Sequence, residues 1–195
     1  MPRSGRPRSF DHDEVVDRAK DVFWARGYGA TSMRDLKDEL GVLPGSLYGA
    51  YGDKHALFLR ALEHYADDTR EAAAALTAGG PVLPRLRELL TAVLSAAAEA
   101  PGRGCMLGNT ATEALPGDEA AGDVVAGALD VLEAAIERAL EAGRQSGEIR
   151  DDVDSGAQAR LLVALLQGLH VVARAEPDPR RLDDVVEAAL GPLAA

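Results

Sequence analysis

Apolar residues recur at spacings of three and four along the chain, and no stretch alternates apolar and polar residues at period two. This pattern predicts an all-α protein without strands. Capping residues and glycines delimit the N-terminal helices. The first helix begins at Asp11, which resembles a capping box with Glu14, and ends at Gly27. A short second helix is capped by Thr31 or Ser32 and ends at Gly41. The third helix starts at Pro44, and a long fourth helix follows Gly52-Asp53.

Prolines and glycines divide the rest of the chain into five further predicted helices. They span about 84–99, 104–115, 119–146, 154–175 and 178–190. In the fourth of these, apolar residues between Ala157 and Ala173 occupy every side, which indicates a helix covered all round. A second subunit on one side and the chain's own core on the other would explain that pattern.

Composition and charge divide the chain in two. Residues 1–66 hold 10 Lys+Arg against 10 Asp+Glu and all eight aromatic residues, whereas residues 67–195 carry the whole net charge of −11. This division predicts two domains with different functions. The longest apolar run, Leu161 to Ala173, is too short to span a membrane, and the N-terminus lacks a secretory signal, so a cytoplasmic location is expected. With Cys105 as its only cysteine, the chain cannot form an intramolecular disulfide.

Residues 31–50 have the pattern of a helix-turn-helix, with Leu36, Leu40, Val42 and Leu47 predicted to clamp the two helices. Such a clamp presents the second helix to a DNA major groove. Hydroxyl groups and Lys54 can bind phosphates, and Gly45 permits close approach of the backbone. The predicted DNA contacts in this part of the chain are Thr31, Ser32, Met33, Leu43, Pro44, Gly45, Ser46, Tyr48, Tyr51 and Lys54.

Five segments within residues 8–68 resemble the TetR/AcrR family of dimeric, ligand-responsive transcription factors. They are Phe23-Trp24-Ala25-Arg26-Gly27-Tyr28, Ala30-Thr31-Ser32-Met33-Arg34-Asp35-Leu36, Leu40-Gly41-Val42, Gly45-Ser46-Leu47-Tyr48, and Gly52-Asp53-Lys54 with Leu57-Phe58. The resemblance implies an N-terminal three-helix helix-turn-helix DNA-binding domain over residues 11–66, followed by a C-terminal helical ligand-binding and dimerisation domain over 67–195. It also implies a repressor that binds a palindromic double-stranded DNA operator as a homodimer and is released by a small-molecule effector.

Three positions depart from the family's pattern. Lys37 stands where the family usually has a small alanine, so its side chain is expected to extend outward. Leu43 and Pro44 replace a polar cap and a basic residue at the start of the third helix. Before the domain, residues 1–10 form a basic arm whose Arg3, Arg6 and Arg8 either lie in the minor groove or belong to a solvated terminus.

Residues of the predicted fourth and sixth helices are the candidates for an effector pocket: His64, Tyr65, Cys105, Met106, Asn109, Thr110 and Glu113. Because few aromatic rings are available there, aliphatic or small polar effectors are favoured over flat cationic ones. Cys105 follows Arg103-Gly104 near a helix start, which favours a reactive thiolate. The alternative is a buried apolar cysteine, the more frequent place for free thiols.

The dimer interface is predicted on the last two helices, where two helices from each subunit can form a four-helix bundle. Its residues are Leu162, Leu165, Leu166, Leu169, His170, Val185 and Leu190. No metal site or cofactor is expected. An enzyme with Cys105 as nucleophile is disfavoured because no general base lies near it in the sequence. A helical ligand carrier or interaction module that no longer reads DNA is the alternative that Pro44 leaves open.

Overall fold

The computed structural model describes residues 11–175 and 178–195, and within them the chain is almost entirely helical. Its α-helices are α1 His12–Arg26, α2 Met33–Leu40, α3 Pro44–Tyr51, α4 Lys54–Leu76, α5 Val82–Glu99, α6 Met106–Ala114, α7 Glu119–Ser146, α8 Ser155–Ala175 and α9 Pro179–Leu190, followed by a 3-10 turn at Gly191–Leu193. The all-α class is confirmed. By contact, the chain divides into two units between His64 and Tyr65, two residues before the boundary predicted after residue 66.

Local capping explains where the first helices begin and end. Ser32 and Asp35 form a capping box at the start of α2: the Asp35 amide donates to Ser32 Oγ (3.2 Å), and the Ser32 amide donates to the Asp35 carboxylate (2.8 Å). Asp11 caps α1, but it accepts from the Asp13 amide rather than from Glu14. Pro44 occupies the first turn of α3, where its missing N–H costs nothing.

The core of the first unit is aromatic and aliphatic. Phe58 of α4 lies 5.2 Å from the Phe23 ring of α1 and 4.7 Å from the Tyr28 ring, measured between ring centroids. The α2 leucines Leu36 and Leu40 are buried against this scaffold. Arg18 of α1 donates to the Leu40 carbonyl (3.1 Å), which fixes the end of α2 to α1.

The second unit contains a large apolar cluster. Helices α5, α7, α8 and α9 contribute most of its buried residues, Ala73 and Leu76 of α4 add to it, and α7 and α5 both pack on α8. The carboxylate of Glu148 accepts from the Val82 and Leu83 amides (2.7 and 2.8 Å), which satisfies two free donors at the start of α5. The chain end returns to this point, where Ile149 and Ala194 form an isolated antiparallel bridge that the sequence pattern does not predict.

Helix α8 has an inner and an outer apolar stripe. Leu162, Leu166 and Leu169 are buried in the unit's own cluster, as is Leu190 of α9, so the prediction that these four form the dimer interface is corrected to a core role. Leu165 and His170 are half-buried, and burial lowers the pKa of the His170 imidazole.

The outer stripe follows from the 3.6-residue helical period. Leu161, Leu165, Gly168 and Val172 lie on one side of α8, with Val171 beside them; Leu161 is 56% exposed, and Val171, Val172 and Val185 of α9 are also exposed. By length and hydropathy alone α8 could cross a membrane. Its buried inner stripe and the charged Arg160 and Arg174 instead fit a helix of a folded domain.

Candidate nucleic-acid interface

The turn between α2 and α3 sets the orientation of α3. Gly41 ends α2 with φ +66°, a left-handed conformation that glycine adopts without strain, and its amide donates to the Lys37 carbonyl (3.0 Å). Three residues later α3 begins, and Leu47, only 1% exposed, fixes it to the scaffold. The predicted clamp is confirmed for Leu36, Leu40 and Leu47, while Val42 is half-buried.

The opposite side of α3 is presented to solvent. Leu43, at the cap of the helix, is 71% exposed, and Tyr48 is 49% exposed. Gly45 and Gly49 are exposed, and a Cβ added at either would meet no atom within 4 Å. Ser46 and Pro44 are half-buried on the same short helix. The predicted contacts from Leu43 to Tyr48 are therefore brought together on one short segment that DNA can approach closely.

Thr31 lies inside the first unit. Its side chain is 1% exposed and its hydroxyl donates to the Gly27 carbonyl (2.7 Å), which closes the turn after α1. The predicted DNA contact by Thr31 is corrected to a structural role. Ser32 is exposed and Met33 half-buried, but the Ser32 hydroxyl already bonds the Asp35 carboxylate within the capping box. That bond lowers the pKa of the Asp35 carboxyl.

Lys54 and Tyr51 are also engaged by the fold. The Lys54 ammonium donates to the carbonyls of Tyr28 and Thr31, each at 2.9 Å, and lies 3.9 Å from the centroid of the Tyr28 ring. The Tyr51 hydroxyl donates to the His12 carbonyl (3.2 Å), and burial raises the pKa of Tyr51. Two predicted phosphate ligands thus hold the ends of α3 and α4 in place.

Arg34 and Lys37 are cationic candidates that the sequence-based prediction of DNA contacts missed. Both are exposed on α2, and their spacing of three places them on one side of it. Lys37 extends outward as expected, with its ammonium 3.5 Å from the Asp38 carboxylate. The spacing of Arg34 and Lys37 on α2, the first helix of the motif, is the sequence signal that could have identified them as DNA contacts. The predicted Arg3, Arg6 and Arg8 lie outside the described residues.

The predicted effector residues fall in different surroundings. Tyr65 lies beside the Cys105 side chain and the Met106 backbone, and burial, then the neighbouring Cys105, raises the pKa of Tyr65. Cys105 immediately precedes α6, which begins at Met106 rather than near residue 104, and it is buried together with Met106 and Thr110. These residues form the part of the predicted pocket that the second unit brings together.

The other predicted effector residues differ in their surroundings. Asn109 follows Cys105 by one helical turn, and its backbone amide donates to the Cys105 carbonyl (2.9 Å). Asn109 donates to the Arg103 carbonyl (2.7 Å) and accepts from the Arg174 guanidinium (2.8 Å), while Glu113 is exposed. His64 belongs to the first unit, where it is half-buried and lies near Asp17.

A cavity of about 280 Å³ lies elsewhere in the second unit. Leu76, Val82, Arg85, Arg138 and Ala139 are among its lining residues, and none of the predicted effector residues lines it. The Arg85 guanidinium is engaged by the carbonyls of three nearby residues, at 2.6 to 3.0 Å. Tyr65, Cys105 and Met106 therefore do not belong to this cavity.

A buried leucine clamp that presents an exposed helix, in a small helical unit followed by a larger one, defines a two-domain helix-turn-helix regulator. The chain belongs to the TetR family. Residues 15–61 match the model for bacterial regulatory proteins of the tetR family, and residues 82–189 match the Tetracyclin repressor-like C-terminal domain.

The similarity to known proteins extends along nearly the whole chain. The uncharacterized HTH-type transcriptional regulator YezE of Bacillus subtilis is 32% identical, with 97% of this chain and 99% of that protein covered. The HTH-type transcriptional repressor ComR of Escherichia coli is also 32% identical, over 87% of this chain and 82% of its own. A cysteine mutant of the TetR family transcriptional regulator CifR, solved with 26-bp double-strand operator DNA, has a TM-score of 0.83 at 32% identity, covering 97% and 100% of the two chains.

Proposed function

We propose that this protein is a cytoplasmic transcriptional repressor that binds a palindromic DNA operator as a homodimer and leaves it when a small-molecule effector binds. One observation carries the proposal: the Leu47 clamp presents the exposed side of α3, from Leu43 to Tyr48, on a rigid helix-turn-helix. The similarity to ComR, a repressor, and to CifR, solved on operator DNA, supports it.

The roles within the proposed interface follow from exposure and bonding. Leu43, Pro44 and Gly45 at the start of α3 face the base edges, because the first residues of a recognition helix enter the groove. Ser46 and Tyr48 donate to phosphates. Ser32 and Met33 approach the DNA phosphates from the start of α2, with Arg34 and Lys37 as additional cations. Tyr51 joins α3 to the His12 carbonyl of α1, and Lys54 joins the start of α4 to the segment between α1 and α2.

The acidic total charge does not oppose this proposal. The excess of carboxylates begins after residue 66, while the first unit is balanced. Salt screens exposed charges beyond about 8 Å at physiological ionic strength, so charges close to the DNA dominate the interaction. The three arginines of residues 1–10 would add to the local attraction.

The outer stripe of α8 supports a homodimer. Leu161, Leu165, Gly168 and Val172 recur at the spacings of a helix–helix seam, and Val185 extends the apolar surface to α9. A second copy of the same surface is the complementary partner, since paired α8 and α9 helices form a four-helix bundle. Leu165, His170 and Val185 thus remain in the proposed interface, joined by Leu161, Val171 and Val172.

Effector binding is proposed at Tyr65, Cys105 and Met106, with Asn109 and Thr110 in the next turn of α6. Helix α4 runs without interruption from Lys54 in the first unit to Leu76 in the second. A ligand that displaces α4 near Tyr65 would therefore change the affinity of the first unit for DNA. Affinity for DNA then falls by the ratio of the effector's affinities for the two states.

Selection of duplexes from a random pool tests the proposal. The expected product is a symmetric site whose half-sites are about 34–36 Å apart or a multiple of that distance, bound at least about a thousandfold more tightly than bulk duplex. Leu43→Asp should abolish selective binding by placing a negative charge in the groove, while its side chain can cap α3 and so favours folding. Val131→Asp, at an exposed position of α7, is the control. If the wild-type chain binds the selected duplex and bulk duplex with equal affinity, sequence-specific DNA recognition is refuted.

The dimer is tested by sedimentation. Leu161→Asp combined with Val172→Asp should convert the dimer to a monomer of half the mass, because two carboxylates would be buried in each copy of the seam. Val131→Asp should leave the mass unchanged. A monomeric wild-type chain would contradict the proposed assembly.

A further inference from the structure

Helix α3 has unusual side-chain chemistry for a helix that reads DNA. Between Pro44 and Tyr51 it contains no charged residue and no amide. Selection of guanine by paired hydrogen bonds uses Arg or Lys, adenine uses Asn or Gln, and cytosine uses an acidic side chain. None of these pairings is available from α3, so its hydrogen-bonding side chains are limited to hydroxyls.

Those hydroxyls carry little base information. Tyr51 donates to the His12 carbonyl within the fold. Ser46 is half-buried, and a serine hydroxyl can pair with any base. Tyr48 is exposed further along the helix, and the proposed function assigns its hydroxyl to a phosphate. Base selectivity from α3 must therefore come mainly from contacts other than hydrogen bonds.

Leu43 is placed to make such a contact. In the described part of the first unit, the large hydrophobic side chains left exposed are Leu43 and Tyr48, and both belong to α3 or its cap. Leu43 stands at the position where a polar residue would normally cap the helix, and it makes no side-chain cap bond. The neighbouring Gly45 leaves open space around the first turn. An apolar side chain, Leu43, therefore lies at the start of α3, the part of a recognition helix that contacts base edges.

The apolar group that a major groove offers is the 5-methyl of thymine. We propose that Leu43 reads a thymine 5-methyl group in each operator half-site, so that this base pair is selected by apolar contact. The inference rests on the proposed function, because it requires that α3 enters the groove. It adds the base and the chemical group that are recognised.

Replacing thymine by deoxyuridine removes only the methyl group and leaves every hydrogen bond in place. The probe is the duplex that the wild-type chain selects from a random pool, resynthesised with deoxyuridine at one symmetric pair of thymines at a time, one thymine in each half-site. Burial of one methyl group corresponds to about fourfold in affinity, so one symmetric pair of substitutions should weaken binding by about fifteenfold. Substitution at the other positions should have a smaller effect.

Leu43→Ala tests whether this residue makes the contact. The variant should bind the thymine duplex more weakly than wild type and should lose its sensitivity to deoxyuridine at the same position. Tyr48→Phe is the matched control on α3 and should keep that sensitivity. Because Leu43 is exposed, cooperative unfolding followed by Trp24 fluorescence should be unchanged in both variants.

Three outcomes would overturn the inference. Equal binding of all deoxyuridine duplexes would show that no methyl group is read, and an undiminished deoxyuridine effect in Leu43→Ala would assign the contact to another residue. In both cases a selected duplex exists and the proposed function stands. Failure to select any duplex would instead refute the proposed function together with the inference.

Discussion

Replacing Lys54 with methionine separates a scaffold role from a phosphate contact. The Lys54 ammonium donates to two backbone carbonyls, of Tyr28 and Thr31, at 2.9 Å and lies over the Tyr28 ring. These contacts join the first residue of α4 to the segment between α1 and α2. Methionine keeps much of the aliphatic length but provides neither the charge nor the donors.

The expected loss of stability follows from those contacts. A hydrogen bond to a charged group contributes about 1.5–3 kcal/mol, and a cation–π contact at a partly exposed site about 0.5–1 kcal/mol. Contributions that share one ammonium are not additive, and Lys54 is only half-buried, so we expect a loss of about 2 kcal/mol. This is a large fraction of the roughly 5–15 kcal/mol that stabilises a typical domain.

Urea unfolding followed by fluorescence measures this loss. Trp24 is the only tryptophan of the chain and lies on α1, so its emission reports the first unit. The matched control is Lys37→Met, since Lys37 is exposed on α2 and its ammonium lies 3.5 Å from the Asp38 carboxylate. Removing a surface ion pair should cost less than about 1 kcal/mol.

The salt dependence of DNA binding supplies the second readout. If Lys54 does not touch phosphate, the slope of log K against log salt should be the same for Lys54→Met and wild type. A phosphate contact in each half-site would instead reduce the slope by about 1.8 in all. A variant as stable as wild type with a reduced slope would refute the scaffold role.

Three further predictions concern the clamp, the second unit and pH. Leu47→Ala should destabilise the first unit by about 2–5 kcal/mol, because Leu47 is buried; unchanged Trp24 unfolding would contradict the clamp. Glu148→Ala should destabilise the second unit by about 1–3 kcal/mol, since the Val82 and Leu83 amides lose their acceptor; a thermal midpoint equal to wild type by circular dichroism would disprove this. Burial depresses the folded-state pKa of His170 below its ordinary 6.5, so the unfolded chain binds more protons than the folded chain. The free energy of unfolding should therefore fall as the pH drops from about 7 to 5. If His170→Asn shows the same dependence of unfolding free energy on pH, His170 is not its cause.

The first four helices show how far local signals extend. Ser32 with Asp35, Pro44 and Gly41 occupy the capping and terminating positions that the sequence predicts, because these preferences depend on a few neighbouring residues. Glu119–Ser146 is likewise found where glycine and proline delimit it. The isolated bridge at Ile149 escaped prediction because it pairs residues 45 positions apart.

Exposure of the functional side chains was harder to predict. Thr31 and Lys54 have the chemistry of phosphate ligands, yet the fold uses both to join α1, α2 and α4. Apolar residues occur on every side of α8 between Ala157 and Ala173, so the pattern cannot distinguish Leu162, which is buried, from Leu161, which is exposed. That assignment depends on which side α5 and α7 cover.

Periodicity, capping and turn chemistry act over a few residues, so the helical class, the approximate helix ends, the helix-turn-helix and the family resemblance can be read from the sequence. Which polar groups are accessible to DNA, and which apolar stripe of α8 is exposed, depends on the packing of the helices. Burial and hydrogen bonding are set by contacts between distant segments, such as Lys54 with the Tyr28 carbonyl, and the same side chain can serve either role until those contacts are known.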